Sequence, residues 1–214
     1  MLAIAHRTPR TAEGCARLAG LGVGVFEVDL QFLAGVPVVS HYLVLLRVLP
    51  WLRHDRWRFT LRARPAAEED LAAVLDRVPA GRAVLLDLKS EDPAAAVATV
   101  DLLRAVGRDC YVSGKGAAAL AVVRDAGHRT WLSVSTRPAL AAALAGDLPA
   151  GLDALTVRHT HLDAAVVRRL REHVPRVMAW TVQDVRRAAE LAAAGVAGIT
   201  SDSPAVHGFT ASRP

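Results

Sequence analysis

Short apolar runs alternate along the chain with longer segments in which alanine and leucine recur at helical spacing. Apolar runs of this length are typical of buried strands, and the longer segments are typical of helices that cover a sheet. The predicted strands are residues 2–5, 25–30, 36–40, 84–89, 110–113, 130–134, 154–157, 177–181 and 198–201. The predicted helices are residues 12–21, 66–77, 93–106, 116–126, 137–145, 163–173 and 185–194.

The alternation of strands and helices predicts a parallel sheet with crossover helices. Residues 31–35 are too few for a parallel crossover, so strand 36–40 must return antiparallel as a hairpin partner of strand 25–30. The other strands fit a (β/α)₈ barrel formed by one domain over residues 1–214. The alternative is a doubly wound open sheet, but no G-x-G-x-x-G motif follows the first strand.

Composition narrows the class of protein. Of the 214 residues, 52% are hydrophobic, which is enough for a large core and excludes a disordered chain. No apolar run approaches the roughly 20 residues of a membrane-spanning helix. The start of the chain has no basic and apolar leader, so we expect a cytoplasmic protein. Two cysteines without metal-ligand spacing predict no disulfide framework.

The formal charge of +5 suggests an anionic partner without identifying it. Lys89 and Lys115 are the only lysines, and the many arginines are scattered over predicted helices, so we predict no nucleic-acid binding and no specific protein partner. Residues 42–65 break the alternation, being basic, apolar and tryptophan-bearing. We interpret them as an insert over the mouth of the barrel, with peripheral membrane contact or packing on the rim as the alternatives.

Three carboxylates are predicted to meet at the carboxyl ends of the strands, where barrel enzymes carry their sites. Glu27 and Asp29 are two residues apart on one strand and therefore share a face, and Asp87 lies on the next barrel strand. Carboxylates placed this close repel one another unless a positive charge lies among them. Mg²⁺ or Ca²⁺ is the simplest candidate, because both prefer oxygen ligands.

Histidines and basic residues end the same strands. His6 and Arg7 follow the first strand, His41 follows the hairpin strand, and Lys89 ends the strand that carries Asp87. Two histidines can act as general acid and base, while a metal, a lysine and an arginine neutralise phosphoryl oxygens. The combination predicts phosphate-ester chemistry.

Six segments in register resemble the glycerophosphodiester phosphodiesterase family. They are Ile4-Ala5-His6-Arg7, Phe26-Glu27-Val28-Asp29, Val36-Pro37-Val38-Val39-Ser40-His41, Leu86-Asp87-Leu88-Lys89, Ala179-Trp180-Thr181-Val182-Gln183-Asp184, and the closing run from Gly195 to Pro204. The resemblance implies a metal-dependent barrel enzyme that hydrolyses glycerophosphodiesters to sn-glycerol 3-phosphate and an alcohol, with a cyclic phosphate as an intermediate in the family's proposed mechanism.

The resemblance also implies roles for single residues. Glu27, Asp29 and Asp87 match metal ligands. His6 and His41 match the general acid–base pair. Arg7 and Lys89 match phosphate contacts, and Trp180 matches a wall of the glycerol pocket.

The chain departs from the family pattern at Thr8, Tyr42 and Asp87, where the family has glycine, aspartate and glutamate, and it lacks the family's Pro-Glu-Asn-Thr stretch. Two alternative functions therefore stay open. One is a barrel phospholipase of the lysophospholipase D or sphingomyelinase D type that takes a lysophospholipid. The other is a catalytically silent barrel that binds phosphoesters.

The other histidines have weaker patterns. His159 and His161 follow a strand without a third ligand nearby, so they are expected to make a substrate contact at most. The remaining ones, His54, His128, His173 and His207, are expected at the surface.

Overall fold

The computed structural model describes residues 1–33, 36–40, 52–55, 58–61 and 71–213. Its strands are β1 (Leu2–Ala5), β2 (Val25–Leu33), β3 (Val36–Val39), β4 (Leu52–Asp55), β5 (Arg58–Leu61), β6 (Ala83–Leu88), β7 (Cys110–Gly114), β8 (Arg129–Val134), β9 (Ala154–Arg158), β10 (Val177–Trp180) and β11 (Gly198–Ser201). Its helices are α1 (Ala12–Gly20), α2 (Leu71–Arg77), α3 (Pro93–Val106), α4 (Ala117–Asp125), α5 (Arg137–Leu144), α6 (Ala164–Leu170), α7 (Val185–Ala193) and α8 (Pro204–Ala211).

The parallel strands close into a barrel. A nine-stranded sheet runs from β1 through β11 and back along the chain to β2, and β1 also pairs with β2, which closes the ring. The ninth strand, β3, pairs antiparallel with the far end of β2 and lies outside the ring. The predicted (β/α)₈ barrel with an antiparallel hairpin strand is therefore confirmed.

Side chains at the helix ends fix where most helices begin. Thr11, Asp92, Thr136, Asp163 and Asp184 each precede a helix, and each accepts a hydrogen bond from a backbone N–H of its first turn. Such caps satisfy donors that the helix itself leaves unpaired. These five helices begin at most seven positions after the end of the preceding strand.

The core has two layers. Alternate strand residues pack outward against the helices in two large clusters, which include Phe26, Leu86 and Leu155. The opposite face of the strands contributes an apolar plug that fills the inside of the barrel: Ile4, Val25, Leu85, Tyr111, Trp131, Ala154 and Met178. All seven are strand residues that are at most 9% exposed, so the plug fills the barrel interior below the carboxyl ends of the strands.

Several elements differ from the prediction. Helix α8 was not predicted, although Ser203 and Pro204 form the cap-and-proline pattern that often begins a helix. In the predicted insert 42–65, the structure describes only the paired strands β4 and β5, which were not predicted either. The predicted helix 66–77 is described from Leu71 onward. Among the described residues, no helix has the length and apolar character needed to cross a membrane.

Candidate active site

A polar layer lies directly above the apolar plug. Because strand side chains alternate, the residue two positions after each plug residue faces the same interior, one level nearer the carboxyl end. That layer consists of His6, Glu27, Asp87, Ser113, Ser133, Thr156 and Trp180, with Thr200 from β11. All of them line a cavity of about 540 Å³. The switch from apolar to polar side chains at this level places the cavity at the C-terminal end of the barrel.

Glu27, Asp29 and Asp87 form the carboxylate cluster of this cavity. Each offers an oxygen, and these oxygens lie within 4.8 Å of one another. Strand pairing explains the approach, since β2 and β6 are in parallel register with Asp29 beside Asp87. Glu27 and Asp29 are only 5% and 4% exposed. The structure therefore brings together the three residues predicted as metal ligands.

Burial and charge crowding act together on Glu27. Burial raises the pKa of its carboxyl group well above the ordinary value, and the neighbouring charges of Asp29 and Asp87 raise it further. The Lys89 charge and a hydrogen bond of 2.7 Å from the Arg7 backbone N–H to Glu27 Oε2 oppose the shift without cancelling it. The cluster thus holds more negative charge than its surroundings compensate.

Lys89 supplies a positive charge to the carboxylate cluster. Its Nζ lies 2.5 Å from Asp29 Oδ1 and also contacts Asp87 Oδ2. Burial lowers the pKa of the ammonium group, but the charges of Asp87, Asp29 and Glu27 outweigh burial and raise it. Ser113 Oγ donates a hydrogen bond of 2.7 Å to Asp87 Oδ1. Lys89, predicted as a phosphate contact, is therefore an internal counter-ion of the cluster in this structure.

The donor set of the carboxylate cluster fits a hard divalent cation. Three carboxylate oxygens at this spacing can serve one ion, and Mg²⁺ and Ca²⁺ both take such ligands. The raised pKa of Glu27 points the same way, because a nearby cation would favour its charged form. Glu27, Asp29 and Asp87 are the residues that would hold the ion.

Arg7 occupies a strained backbone position beside the cluster. It is the one residue other than glycine with a positive φ in the described ranges, at 59°. This conformation is unfavourable for a residue with a side chain and persists only where the surroundings impose it. It directs the Arg7 N–H at Glu27, while Arg7 Nε lies 3.8 Å from Asp29 Oδ2. The half-exposed guanidinium group thus stands at the edge of the cavity.

Thr8, one of the departures from the family pattern, fixes the loop that carries Arg7. Its backbone N–H and its Oγ1 both donate to the Glu27 carbonyl oxygen, at 2.8 and 2.9 Å. The side chain therefore adds a second bond between the β1–α1 loop and β2. A glycine could make only the backbone bond.

His6 is held by a carboxylate that the sequence analysis did not single out. His6 Nδ1 lies 2.9 Å from Asp202 Oδ1, and Gln183 Nε2 donates to Asp202 Oδ2 at 2.8 Å. Burial raises the pKa of Asp202, but the hydrogen bonds and charges of His6, with Gln183 and Arg7, lower it overall. Asp202 thus holds Nδ1 and fixes the orientation of the His6 ring in the cavity. Asp202 directly follows β11 and Gln183 lies shortly after β10, so a position just after a strand end was the signal that the sequence offered.

Trp180 forms part of the opposite wall. Its Nε1–H donates to the Thr156 carbonyl oxygen at 3.1 Å, and the Arg158 guanidinium carbon lies 5.5 Å from its ring centroid. Trp180 and Arg158 are paired in register on β10 and β9. The structure therefore places the predicted pocket wall in the cavity, with Arg158 next to it.

Other predicted residues fall elsewhere. His41, with most of the insert 42–65, lies outside the described residues. His159 and His161 form a short 3₁₀ turn and do not line the cavity; Arg187 Nη2 donates to the His159 carbonyl at 2.6 Å. The expectation of a surface position is wrong for His207, which is 1% exposed because α8 packs it against β1 and β11.

The model of the glycerophosphoryl diester phosphodiesterase family matches residues 81–206, more than half of the chain. The chain belongs to this family. Membership makes the protein a phosphoric diester hydrolase by class, and the matched range includes Asp87, Lys89, Trp180 and Asp202. No curated protein sequence matches the chain.

Solved structures of family members share the fold. A glycerophosphodiester phosphodiesterase from Parabacteroides distasonis aligns with a TM-score of 0.71 and 18% identity, over 96% of this chain and 94% of that one. A glycerophosphodiester phosphodiesterase from Thermotoga maritima aligns with a TM-score of 0.68 and 16% identity, over 95% of this chain and 96% of that one. A phosphodiesterase from Oleispira antarctica, in complex with the product sn-glycerol 3-phosphate, aligns with a TM-score of 0.70 and 18% identity. The alignment covers 95% of this chain and 94% of that one. At these identities the likeness concerns the fold.

Proposed function

We propose that this protein hydrolyses glycerophosphodiesters to sn-glycerol 3-phosphate and an alcohol, with a divalent cation as cofactor. The observation that carries the proposal is the carboxylate cluster beside His6 and Arg7, in one cavity at the C-terminal end of a family barrel. The Oleispira antarctica relative, bound to sn-glycerol 3-phosphate, supports this substrate class.

The basic, aromatic and acidic side chains of the cavity have separate roles in this proposal. Arg7 and Lys89 bind the non-bridging oxygens of the phosphodiester, and Trp180 packs against the carbon skeleton of the glycerol. A divalent cation held by Glu27, Asp29 and Asp87 would polarise the phosphoryl group when bound. Lys89 contacts Asp29 and Asp87 in this structure, and a bound cation would take over its role as their counter-ion, so that its Nζ would be available to the phosphodiester.

Proton transfer is assigned to two histidines. His6 exchanges a proton through Nε2, while Asp202 on Nδ1 fixes the ring orientation. His41 is the proposed second member of the pair. A glycerol hydroxyl attacks phosphorus and gives its proton to one histidine, while the other histidine gives a proton to the departing alcohol oxygen, so that one P–O bond forms, one breaks and a cyclic phosphate results. Water then opens the ring with the two histidines in exchanged roles, forming one P–O bond and breaking another, to give sn-glycerol 3-phosphate.

The direct test is the release of sn-glycerol 3-phosphate from glycerophosphocholine and glycerophosphoethanolamine with Mg²⁺, with Ca²⁺ and with EDTA. We expect turnover that requires the cation and is lost in Glu27→Ala, His6→Gln and His41→Ala. His173→Gln is the matched control, because His173 is exposed and does not line the cavity. Cleavage of lysophospholipids alone would replace the substrate class, and a bound cation without turnover on any diester would contradict the proposal.

A further inference from the structure

Two basic residues at the mouth of the cavity have no part in the proposed hydrolysis. Lys115 follows β7, Arg158 ends β9, and both line the cavity. Each lies two positions beyond a residue of the polar layer, Ser113 and Thr156 respectively. Arg158, the last residue of β9, therefore lies one level above that layer on the interior side, and Lys115, the first residue after β7, lines the same rim.

The position of Lys115 is fixed by close backbone packing. A Cβ on Gly114 would lie 3.2 Å from the Leu88 carbonyl oxygen, and one on Gly116 would lie 3.0 Å from Glu91 Cα. The two glycines let the loop lie directly against the end of β6. Lys115 and Lys89 are the only lysines in a chain with 26 basic residues, and both line this cavity. A general preference for arginine in this chain does not account for a lysine there.

Arg158 lies two strands further round the barrel, on β9, beside Trp180 of β10. Its guanidinium carbon lies 5.5 Å from the centroid of the Trp180 ring, in a cation–π contact. The Trp180 ring is itself fixed by its hydrogen bond to the Thr156 carbonyl. The guanidinium group is therefore ordered before a ligand arrives, so less conformational entropy is lost when it binds an anion.

The charges at the rim of the cavity favour a second anionic group. Among the described lining residues above the polar layer and the carboxylate cluster with its partners, Lys115 and Arg158 are basic and Glu91 is acidic. The rim therefore has more positive than negative side chains, and neither basic one is needed to neutralise the scissile phosphate.

We propose that Lys115 and Arg158 bind a second anionic group, a carboxylate or a phosphate, on the phosphodiester substrate. The proposal rests on the proposed hydrolysis and specifies its substrate. The ligand is a group with anionic oxygens. It binds at the rim of the cavity, away from the scissile phosphate. An arginine and a lysine are the side chains that recognise such groups.

Two matched pairs of diesters test the proposal. Glycerophosphoserine differs from glycerophosphoethanolamine by one carboxylate, and glycerophosphoinositol 4-phosphate differs from glycerophosphoinositol by one phosphate. The kcat/KM of each is measured for the wild type, Lys115→Gln and Arg158→Gln. Arg186→Gln is the control, because the Arg186 side chain is 92% exposed on α7 and lies outside the cavity lining.

We expect the wild type to prefer the anionic member of at least one pair, and the pair that responds identifies the group. Each cavity variant should reduce that preference roughly tenfold, since a charge-assisted hydrogen bond is lost. The neutral member of the pair and Arg186→Gln should change little. A wild type without preference, or cavity variants that keep it, would overturn the proposal while hydrolysis itself stands.

Binding separates this proposal from the proposed hydrolysis. Calorimetry of the same diesters on His6→Gln, with and without Lys115→Gln or Arg158→Gln, measures the preference as a ratio of Kd values without turnover. If the wild type cleaves none of the diesters, the proposed hydrolysis fails and the Kd ratio alone decides. A ratio near one in the His6→Gln protein would refute the second anionic site.

Discussion

Glu27 is nearly inaccessible to solvent and lies beside two other carboxylates, so its charge is costly unless a cation is present. Its pKa is raised in the folded protein, which means that the folded state binds this proton more tightly than the unfolded state. The metal-free protein therefore loses stability as the pH rises from the ordinary pKa of a glutamate through the raised one.

We predict that Glu27→Gln stabilises the metal-free protein at neutral pH and removes this pH dependence. Thermal unfolding in EDTA between pH 5 and pH 8 measures the effect, at about 2–4 °C in Tm for each kcal/mol. The same variant should lose the rise in Tm that Mg²⁺ or Ca²⁺ gives the wild type. Equal dependence of Tm on pH in the two proteins would contradict the prediction, because it would mean that charging Glu27 costs the folded state little free energy.

Lys89 is the counter-ion of the carboxylate cluster, so its removal should destabilise the protein. We predict that Lys89→Met lowers the free energy of unfolding in EDTA by about 3 kcal/mol, because partly buried carboxylates lose their partner. A divalent cation should restore much of the loss. Urea unfolding of Lys115→Met supplies the comparison, since Lys115 is exposed.

Asp202 contacts the His6 ring, and in the proposed mechanism it acts through this histidine. We predict that Asp202→Asn lowers kcat roughly 100-fold with little change in KM, because an amide can hold His6 in the wrong tautomer and cannot stabilise its charged form. Asp184→Asn is the control, since asparagine also caps a helix and Asp184 lies outside the cavity. A fall in both kcat and thermal stability would indicate a structural role instead.

At the scale of single elements, the β1–α1 loop shows how a departure from the family pattern is accommodated. We predict that Thr8→Val destabilises the protein by about 1 kcal/mol, since the hydroxyl bond to the Glu27 carbonyl is lost. Activity should fall as well, because the same loop holds Arg7 at its positive φ. Chemical denaturation and turnover measure the two effects, and Thr11→Ser, which keeps the cap of α1, serves as the control.

Sequence pattern predicted the barrel elements closely because most strands are apolar runs and five of the helices begin at a capping side chain. Strands β1 and β11 and helix α3 have the predicted bounds, and β3 was identified by the shortness of its connection. Helix α8 was missed because it follows the last strand, where no further strand marks its end. The burial of His207 was missed for the same reason, since only α8 explains it.

The candidate site was predictable where chemistry follows from strand alternation and hidden where it depends on tertiary contacts. Glu27, Asp29 and Asp87 are ordered by a period of two along paired strands, which the sequence displays. The partnership of His6 with Asp202 joins residues 196 positions apart and requires the closure of the ring. The counter-ion role of Lys89 depends on how close its Nζ lies to the carboxylate oxygens of Asp29 and Asp87, and the spacing of residues in the sequence does not give those distances.

At the scale of the whole molecule, we expect stability and catalysis to depend on successive levels of the barrel. We predict that Trp131→Ala, in the apolar plug, costs about 3–5 kcal/mol of unfolding free energy. Trp180→Ala, one level higher and less buried, should cost much less but reduce turnover strongly. Urea unfolding and kcat/KM measured on both variants test this separation, and equal losses of stability would argue against it.

The apolar plug also determines the route that small molecules must take. It fills the barrel below the polar layer, so the cavity is closed at its base. Substrate arrives and both products depart through the same opening, one after another. A retained product therefore blocks the next substrate, and accumulated product should slow turnover by competition for the opening rather than by any distant effect.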